Sequence, residues 1–176
     1  MTENDETNDE TNDYIVTTTS HCYISRRATL ANAAQMELKG RSVIQEGVQL
    51  HATRIGRFTH IQSHTTIQAP TAGETLIPVT IGSHTWMGGH VQSHAAAIGS
   101  CCHIGDHVRL GERVILKDAV IIAPHVHIPA DTVIPPFTYV SANGNWKELP
   151  PAILVELQEQ CQNYYYHEFR AHKESI

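Results

Sequence analysis

The stretch IGSCCHIGDHVRLGERVILKDAVIIAPHVHIPADTVIPPFTYV, residues 98–140, carries an aliphatic residue at every sixth position. These positions are Ile98, Ile104, Leu110, Leu116, Ile122, Ile128, Ile134 and Val140. An amphipathic helix repeats its apolar face about every 3.6 residues and a strand about every two, so neither explains a period of six. A period of six is typical of a hexapeptide repeat, in which short strands wind into a parallel β-helix. We therefore predict an all-β solenoid with these side chains in its core.

The same period extends toward the N-terminus, with small or β-branched residues four places after many of the core positions. The earlier core positions are Ile24, Leu30, Leu38, Ile44, Leu50, Ile55, Ile61, Ile67, Ile81 and Met87. Pro70, Gly73 and Pro78 interrupt the count, which indicates a loop. The pattern predicts a β-helix over residues 14–145 with an inserted loop at 68–80.

The two ends of the chain differ from the repeat. Residues 1–13 hold only Thr, Glu, Asn and Asp after Met1, so we predict a disordered acidic tail. After Pro150 and Pro151 the apolar residues follow helical spacing, which predicts a C-terminal α-helix over 150–172 packed on the β-helix. Aromatic residues are enriched at protein interfaces, and the candidate partner contacts are therefore Tyr164, Tyr165 and Phe169 in the Tyr-rich end of this helix.

Composition narrows the classes of function. A net charge of -6 argues against a nucleic-acid surface, which normally shows a basic patch. No apolar run is long enough for a membrane span, so we expect no direct membrane insertion. The four cysteines form no CxxC zinc pattern, and we expect reduced thiols.

Thirteen histidines suggest a metal site, and the repeat allows a geometric test. If the repeat passes directly from Ile67 to Ile81, each of four successive coils has a histidine three residues after a core residue. These are His64, His90, His107 and His125. The repeat predicts an exterior column at one strand spacing rather than a tetrahedral cluster. A mild pH sensitivity of this column is a weaker hypothesis. His60, Trp86 and His103 form a second column by the same count.

Two enzyme classes use this repeat. Hexapeptide acyltransferases carry a catalytic histidine, and His84, His90 or His94 is available as a general base, although no orienting partner is identifiable. Residues 54–68 and 81–99 also resemble repeats of the γ-class carbonic anhydrases. That resemblance puts the three zinc-ligand positions on Gln68, Gly89 and His94, of which only one is a histidine. Since zinc hydrolysis needs a complete ligand set, the resemblance implies a degenerate site without metal.

A further resemblance covers residues 24–169. The segments that carry it are SVIQEGVQL (42–50), RIGRF (54–58), IGSH (81–84), AAAIGSCCHIGDHVRLGERVILKDAVI (95–121), DTVIPPFTYVSANG (131–144) and ELPPAILVELQEQCQNYYYHEF (148–169). In this order, and with the insertion after the early repeats, they resemble the dynactin subunit 5 family.

The resemblance implies a left-handed coil and a non-enzymatic structural role without cofactors. Members of that family pair with a dynactin subunit 6-like β-helix protein. With the actin-related protein Arp11 and the p62 subunit (dynactin subunit 4), they form the dynactin pointed-end complex, which supports dynein cargo adaptors and microtubule transport. The expected location is cytoplasmic and cytoskeleton-associated. The alternatives are a γ-carbonic-anhydrase-like protein with a degenerate zinc site and a hexapeptide acyltransferase.

Overall fold

The computed structural model describes residues 13–169, and these residues wind into a parallel β-helix with one helix laid along it. The prediction of a left-handed hexapeptide-repeat β-helix with a C-terminal helix is confirmed. We number the strands in chain order and call the three sheets faces A, B and C. One coil is one passage through the three faces.

Over the described residues, face A has nine strands and faces B and C have six each. Face A consists of β1 Tyr14–Val16, β2 Tyr23–Ser25, β5 Val43–Ile44, β8 His60–Ile61, β13 Trp86–Met87, β16 His103–Ile104, β19 Val120–Ile122, β22 Thr138–Val140 and β23 Trp146–Glu148. Face B consists of β3 Thr29–Ala31, β6 Gln49–His51, β9 Thr66–Ile67, β14 Gln92–Ser93, β17 Arg109–Leu110 and β20 His127–Ile128. Face C consists of β4 Glu37–Leu38, β7 Thr53–Ile55, β12 Val79–Ile81, β15 Ala97–Ile98, β18 Ile115–Leu116 and β21 Val133–Ile134.

The period-six residues stack in register and fill the interior. Ile61 pairs with Met87, and Met87 pairs with Ile104 in the next coil. All eight periodic residues from Ile98 to Val140 are at most 3% exposed. Burial of one such side chain contributes roughly 1.5–3 kcal/mol, so this column is the main source of stability.

The small or β-branched residues that follow four places after the core positions lie just inside the corners. There, threonine hydroxyls donate hydrogen bonds to backbone carbonyls of the neighbouring coil. Thr65 is fully buried, and its hydroxyl donates to the Gly88 carbonyl at 2.7 Å. Close approach between coils also explains the glycines that follow core residues: a Cβ on Gly105 would lie 2.6 Å from the Pro124 nitrogen. These glycines are therefore required by packing, whereas the left-handed backbone conformations fall on other corner residues.

The structure differs from the sequence prediction at the insertion and at the first coil. The insertion contains a hairpin, β10 Thr71–Ala72 with β11 Thr75–Leu76, and face C already resumes at Val79. A 3-10 turn, Ala33–Gln35, lies between Leu30 and Leu38. It makes the distance in sequence between these two core residues two residues longer than the period of six.

Both ends of face A carry an antiparallel strand. β1 pairs with β2, and β23, which begins after residue 145, pairs with β22. The C-terminal helix α1, Ile153–Asn163, continues as a π-helical turn, Tyr164–Phe169. The predicted acidic tail, apart from Asp13, and residues 170–172 of the predicted helix lie outside the described residues.

Candidate functional site

The structure does not bring the three degenerate zinc positions together. Gln68 and His94 adjoin each other at the ends of β9 and β14. Gly89 follows β13 at the corner between faces A and B. Among residues 13–169, no group of three or more His, Cys, Asp or Glu side chains is arranged to hold a metal ion.

Within residues 13–169, the candidate general bases His84, His90 and His94 form no ion pair with a carboxylate. His84 is half-buried and stacks on Phe58 at 5.2 Å, and its Nε2 accepts from Gln162 at 3.3 Å. Burial, with a smaller effect of Arg57, lowers the pKa of His84. His94 is exposed, and its ring has no hydrogen-bond partner in the part of the chain that the structure describes. Neither His84 nor His94 therefore forms an acid–base dyad with a described carboxylate.

The predicted exterior column of histidines is confirmed. The ring centroids are 5.1 Å apart for His64 and His90, 4.9 Å for His90 and His107, and 4.9 Å for His107 and His125. All four residues occupy the left-handed backbone region, with φ between 57° and 63°. The equivalent residue one coil earlier is Gly47, where a Cβ would overlap the His64 ring. The column begins at His64 because no side chain fits beneath it.

The three faces differ in the residues that point outward. Face A presents Tyr23, Val43, His60, Trp86, His103, Ile121 and Tyr139. Face B presents Thr29, Gln49, Thr66, Gln92, Arg109 and His127. Face C presents Glu37, Arg54, Thr80, Ala97, Ile115 and Val133. Face A is thus the large apolar surface that needs a cover, and this is where the C-terminal helix packs.

The helix meets the corner between faces C and A once in each coil. Gln158 donates to the Cys101 sulfur at 3.7 Å, Gln162 reaches His84, and the Tyr166 ring lies 5.8 Å from Phe58. Cys101, His84 and Phe58 occupy the same corner position in successive coils.

The Tyr-rich end of the helix is used within the chain. Tyr165 is 2% exposed, and its hydroxyl donates to the His21 carbonyl at 2.6 Å. The Tyr164 ring lies 4.8 Å from Trp86, and its hydroxyl accepts from Gln45 at 2.9 Å. The assignment of Tyr165 to a partner contact is therefore corrected, because its ring is buried against the β-helix.

Phe169 and Tyr166 have different surroundings. Phe169 is half-buried between Tyr14, at 5.2 Å, and Tyr23, at 5.0 Å. Tyr166, in the same Tyr-rich end of the helix, leaves 38% of its surface exposed. A partner contact of Tyr164 and Phe169 stays a prediction.

His60 is the buried polar group beneath the helix. It is fully buried, and its Nε2 donates to the Cys161 carbonyl at 2.8 Å. Its Nδ1 has no partner among the described residues. Burial lowers the pKa of His60 to about 4, so the ring is neutral at physiological pH. The second predicted column is present, since the Trp86 ring lies 6.0 Å from His60 and 6.1 Å from His103.

The cysteines are free thiols. Burial raises the pKa of Cys102 to about 12 and that of Cys161 to about 12. A reactive cysteine needs a lowered pKa and access to solvent, so these two thiols are packing groups.

Exposed apolar side chains remain at both ends of the β-helix. Ile15 and Val16 on β1 are about half exposed, as are Val133 on β21 and Trp146 on β23. Strands β1 and β23 end face A, and β21 ends face C. The described helices include none with the length and apolar character that a membrane crossing requires.

Comparison with known proteins gives a family and a fold. The family model of dynactin subunit 5 matches residues 3–174. A search of curated proteins returned no match. Among solved structures, a hexapeptide transferase family protein from Anaplasma phagocytophilum is 14% identical with a TM-score of 0.54, covering 86% of this chain and 93% of its own. A mutant of AntD, an N-acyltransferase from Bacillus cereus, is 16% identical with a TM-score of 0.49, covering 82% of this chain and 89% of its own. At 14% identity, the likeness to the Anaplasma phagocytophilum protein shows the β-helix fold alone.

Proposed function

The chain belongs to the dynactin subunit 5 family, and on this basis we propose that it is a non-enzymatic structural subunit of the dynactin pointed-end complex. The observation that carries the proposal is the extent of the family match, residues 3–174, which includes the coils, the inserted hairpin and the C-terminal helix. The proposed partners are a dynactin subunit 6-like β-helix protein, Arp11 and the p62 subunit. The complex supports dynein cargo adaptors and microtubule transport, and its proposed location is cytoplasmic and cytoskeleton-associated.

The surfaces left uncovered by the helix suit a structural role. Exposed strand edges offer unpaired N–H and C=O groups, and an assembled protein must cover them. The C-terminal end combines the outer edges of β20, β21 and β23 with the apolar side chains Val133, 50% exposed, and Trp146, 48% exposed. We propose this end as a subunit contact.

A second proposed contact lies at the Tyr-rich turn. Tyr164 and Phe169 are partly exposed, and Tyr166 shows more of its ring. In this proposal Tyr165 acts only by holding the turn against the His21 carbonyl.

Reconstitution with purified partner subunits tests the proposal. We expect the chain to co-elute with the subunit 6-like protein, Arp11 and p62. A Val133→Glu, Trp146→Glu variant should lose this assembly while keeping its circular dichroism and Tm, because both side chains are on the surface. Thr80→Glu is the matched control, since Thr80 points outward from the same face three coils away.

Two results would contradict the proposal. One is a wild-type chain that joins none of these subunits. The other is stoichiometric zinc or tight binding of an acyl-coenzyme A by the purified chain, which would favour one of the two enzyme classes.

A further inference from the structure

Positively charged side chains cluster in two of the early coils. Six of the twelve lysine and arginine residues of the chain lie between Arg26 and Arg57. Four of these six belong to face C or to its corner with face A, in two successive coils. They are Lys39, Arg41, Arg54 and Arg57, and we call them the basic corner.

The pairing of the two coils brings these four residues together. Glu37 on β4 pairs with Arg54 on β7, and the residues that follow keep this register as far as Arg41. Neighbouring strands are about 4.8 Å apart, and each residue along a strand advances about 3.3 Å. No two of the four Cα atoms are therefore more than roughly 14 Å apart.

The charges of the basic corner are not neutralised by the carboxylates that the structure describes. Lys39, Arg54 and Arg57 are exposed, and no ion pair involves any member of the basic corner in the described part of the chain. Glu37 lies opposite Arg54 across the two strands, but these two side chains form no ion pair. Burial and, second to it, the charge of Arg57 lower the pKa of His84, so this charge is felt where the helix meets the corner.

Two aromatic rings adjoin the basic corner. The Arg41 guanidinium lies 5.6 Å from the centre of the Phe58 ring and 5.8 Å from that of the Tyr166 ring. Arg41 is half-buried, whereas Tyr166 leaves 38% of its surface exposed. A ligand at this corner therefore meets an exposed aromatic surface as well as positive charges.

The surroundings favour a short acidic peptide over an extended polyanion. The helix α1 contains no lysine or arginine and has Glu156 and Glu159 at exposed positions, and the net charge of the whole chain is -6. A membrane surface or a nucleic-acid duplex would meet these negative charges as well. A peptide is short enough to contact the basic corner alone.

We propose that the basic corner binds an acidic segment of a partner protein in which carboxylates flank an apolar side chain. The carboxylates accept hydrogen bonds from Arg54 and Arg57, since the planar guanidinium matches a carboxylate. The apolar side chain packs on the exposed part of the Tyr166 ring. This proposal rests on the Tyr-rich contact proposed above and specifies its chemistry, but it does not require the identity of the three partner subunits.

Fluorescence anisotropy with the full chain tests the binding. The probe is a fluorescein-labelled synthetic peptide in which glutamates flank a central leucine. We expect saturable binding that weakens with added salt, because the Debye length falls from about 10 Å at 0.1 M to about 3 Å at 1 M. Glutamine in place of every glutamate should abolish binding. Serine in place of the leucine should weaken it at least about threefold, because apolar area is lost.

Charge variants locate the site on the chain. Arg54→Gln, Arg57→Gln should lower the affinity for the glutamate peptide at least about tenfold and keep the wild-type Tm, because both side chains are exposed. Arg109→Gln, Lys117→Gln is the matched control. It removes the same charge from exposed positions on later coils, and it should bind the peptide like the wild type.

Three outcomes would overturn the proposal. The first is equal affinity of the two double variants, since the attraction would then not come from this corner. The second is unchanged binding of the glutamine peptide. The third is no binding of the glutamate peptide, and vesicles containing phosphatidylserine that bind through Arg54 and Arg57 would then identify the occupant as a membrane surface. Reconstitution with the partner subunits is measured separately, so failure of the peptide to bind is distinguishable from failure of the assembly.

Discussion

Replacement of His60 by glutamine should flatten the pH dependence of stability below neutrality. His60 is fully buried beneath α1, and burial lowers its pKa from the ordinary 6.5 to about 4. In the unfolded chain the ring binds a proton more readily than in the folded one. The contribution of the neutral His60 ring to the free energy of unfolding is therefore fully present above pH 6.5 and is lost as pH falls toward 4.

The size of the effect follows from the two pKa values. Proton linkage gives a loss of about 1.4 kcal/mol near pH 5.5 and about 2.5 kcal/mol near pH 4.5 for this one group. Glutamine keeps a donor for the Cys161 carbonyl but does not titrate. Burial also lowers the pKa of His84 and His103, so both proteins should keep some acid sensitivity.

Urea unfolding at several pH values measures this difference. We expect the free energy of unfolding of the wild type to fall by about 2.5 kcal/mol more than that of His60→Gln between pH 7.5 and 4.5. His94→Gln is the matched control and should follow the wild type, since His94 is exposed. Equal pH dependence in the wild type and His60→Gln would refute a buried, neutral His60.

The other predictions concern single positions of the repeat and are checked by thermal or urea unfolding. Leu110→Ala should lower the free energy of unfolding by about 2–5 kcal/mol, because Leu110 is 1% exposed within a continuous core; a loss below about 1 kcal/mol would mean that the coil closes around the gap. Gly47→Ala should destabilise the chain because Gly47 has a φ of 67° and no space beside the His64 ring, and a neutral result would contradict this crowding. His107→Ala should change stability by less than about 1 kcal/mol, since exposed substitutions usually cost little; a large loss would show that the column supports the fold.

The core could be predicted from the sequence because its chemistry repeats along the chain. Nearly every inward position of the described coils holds an apolar side chain, although Ser93 is polar, so Leu110 and Ile122 mark their own coils without reference to distant residues. The stacking of His90 on His107 followed from the same count, because equal offsets in successive coils lie one strand spacing apart.

The contacts of the C-terminal helix could not be predicted from the six-residue period. The sequence indicates that the Tyr165 ring needs an apolar contact. It does not tell whether that contact lies within the chain or on a partner protein. A signal was present in the outward residues: His60 and Trp86 on face A are bulky, whereas Thr66 and Gln92 on face B are polar. Comparison of outward positions between faces would have identified the covered one.

The contacts of the C-terminal helix and the coils of the β-helix repeat at nearly equal but different distances. Gln158, Gln162 and Tyr166 meet one coil each, so the helix advances about 6 Å per contact while the coils advance about 4.8 Å. The difference between the two spacings adds up with every coil. In a regular α-helix the contacting side chains would therefore lose their alignment with the corner residues. The π-helical turn, Tyr164–Phe169, winds more residues into each turn and advances less, so Tyr166 still reaches Phe58. A longer helix would therefore have to adjust its rise again to stay in register with the coils.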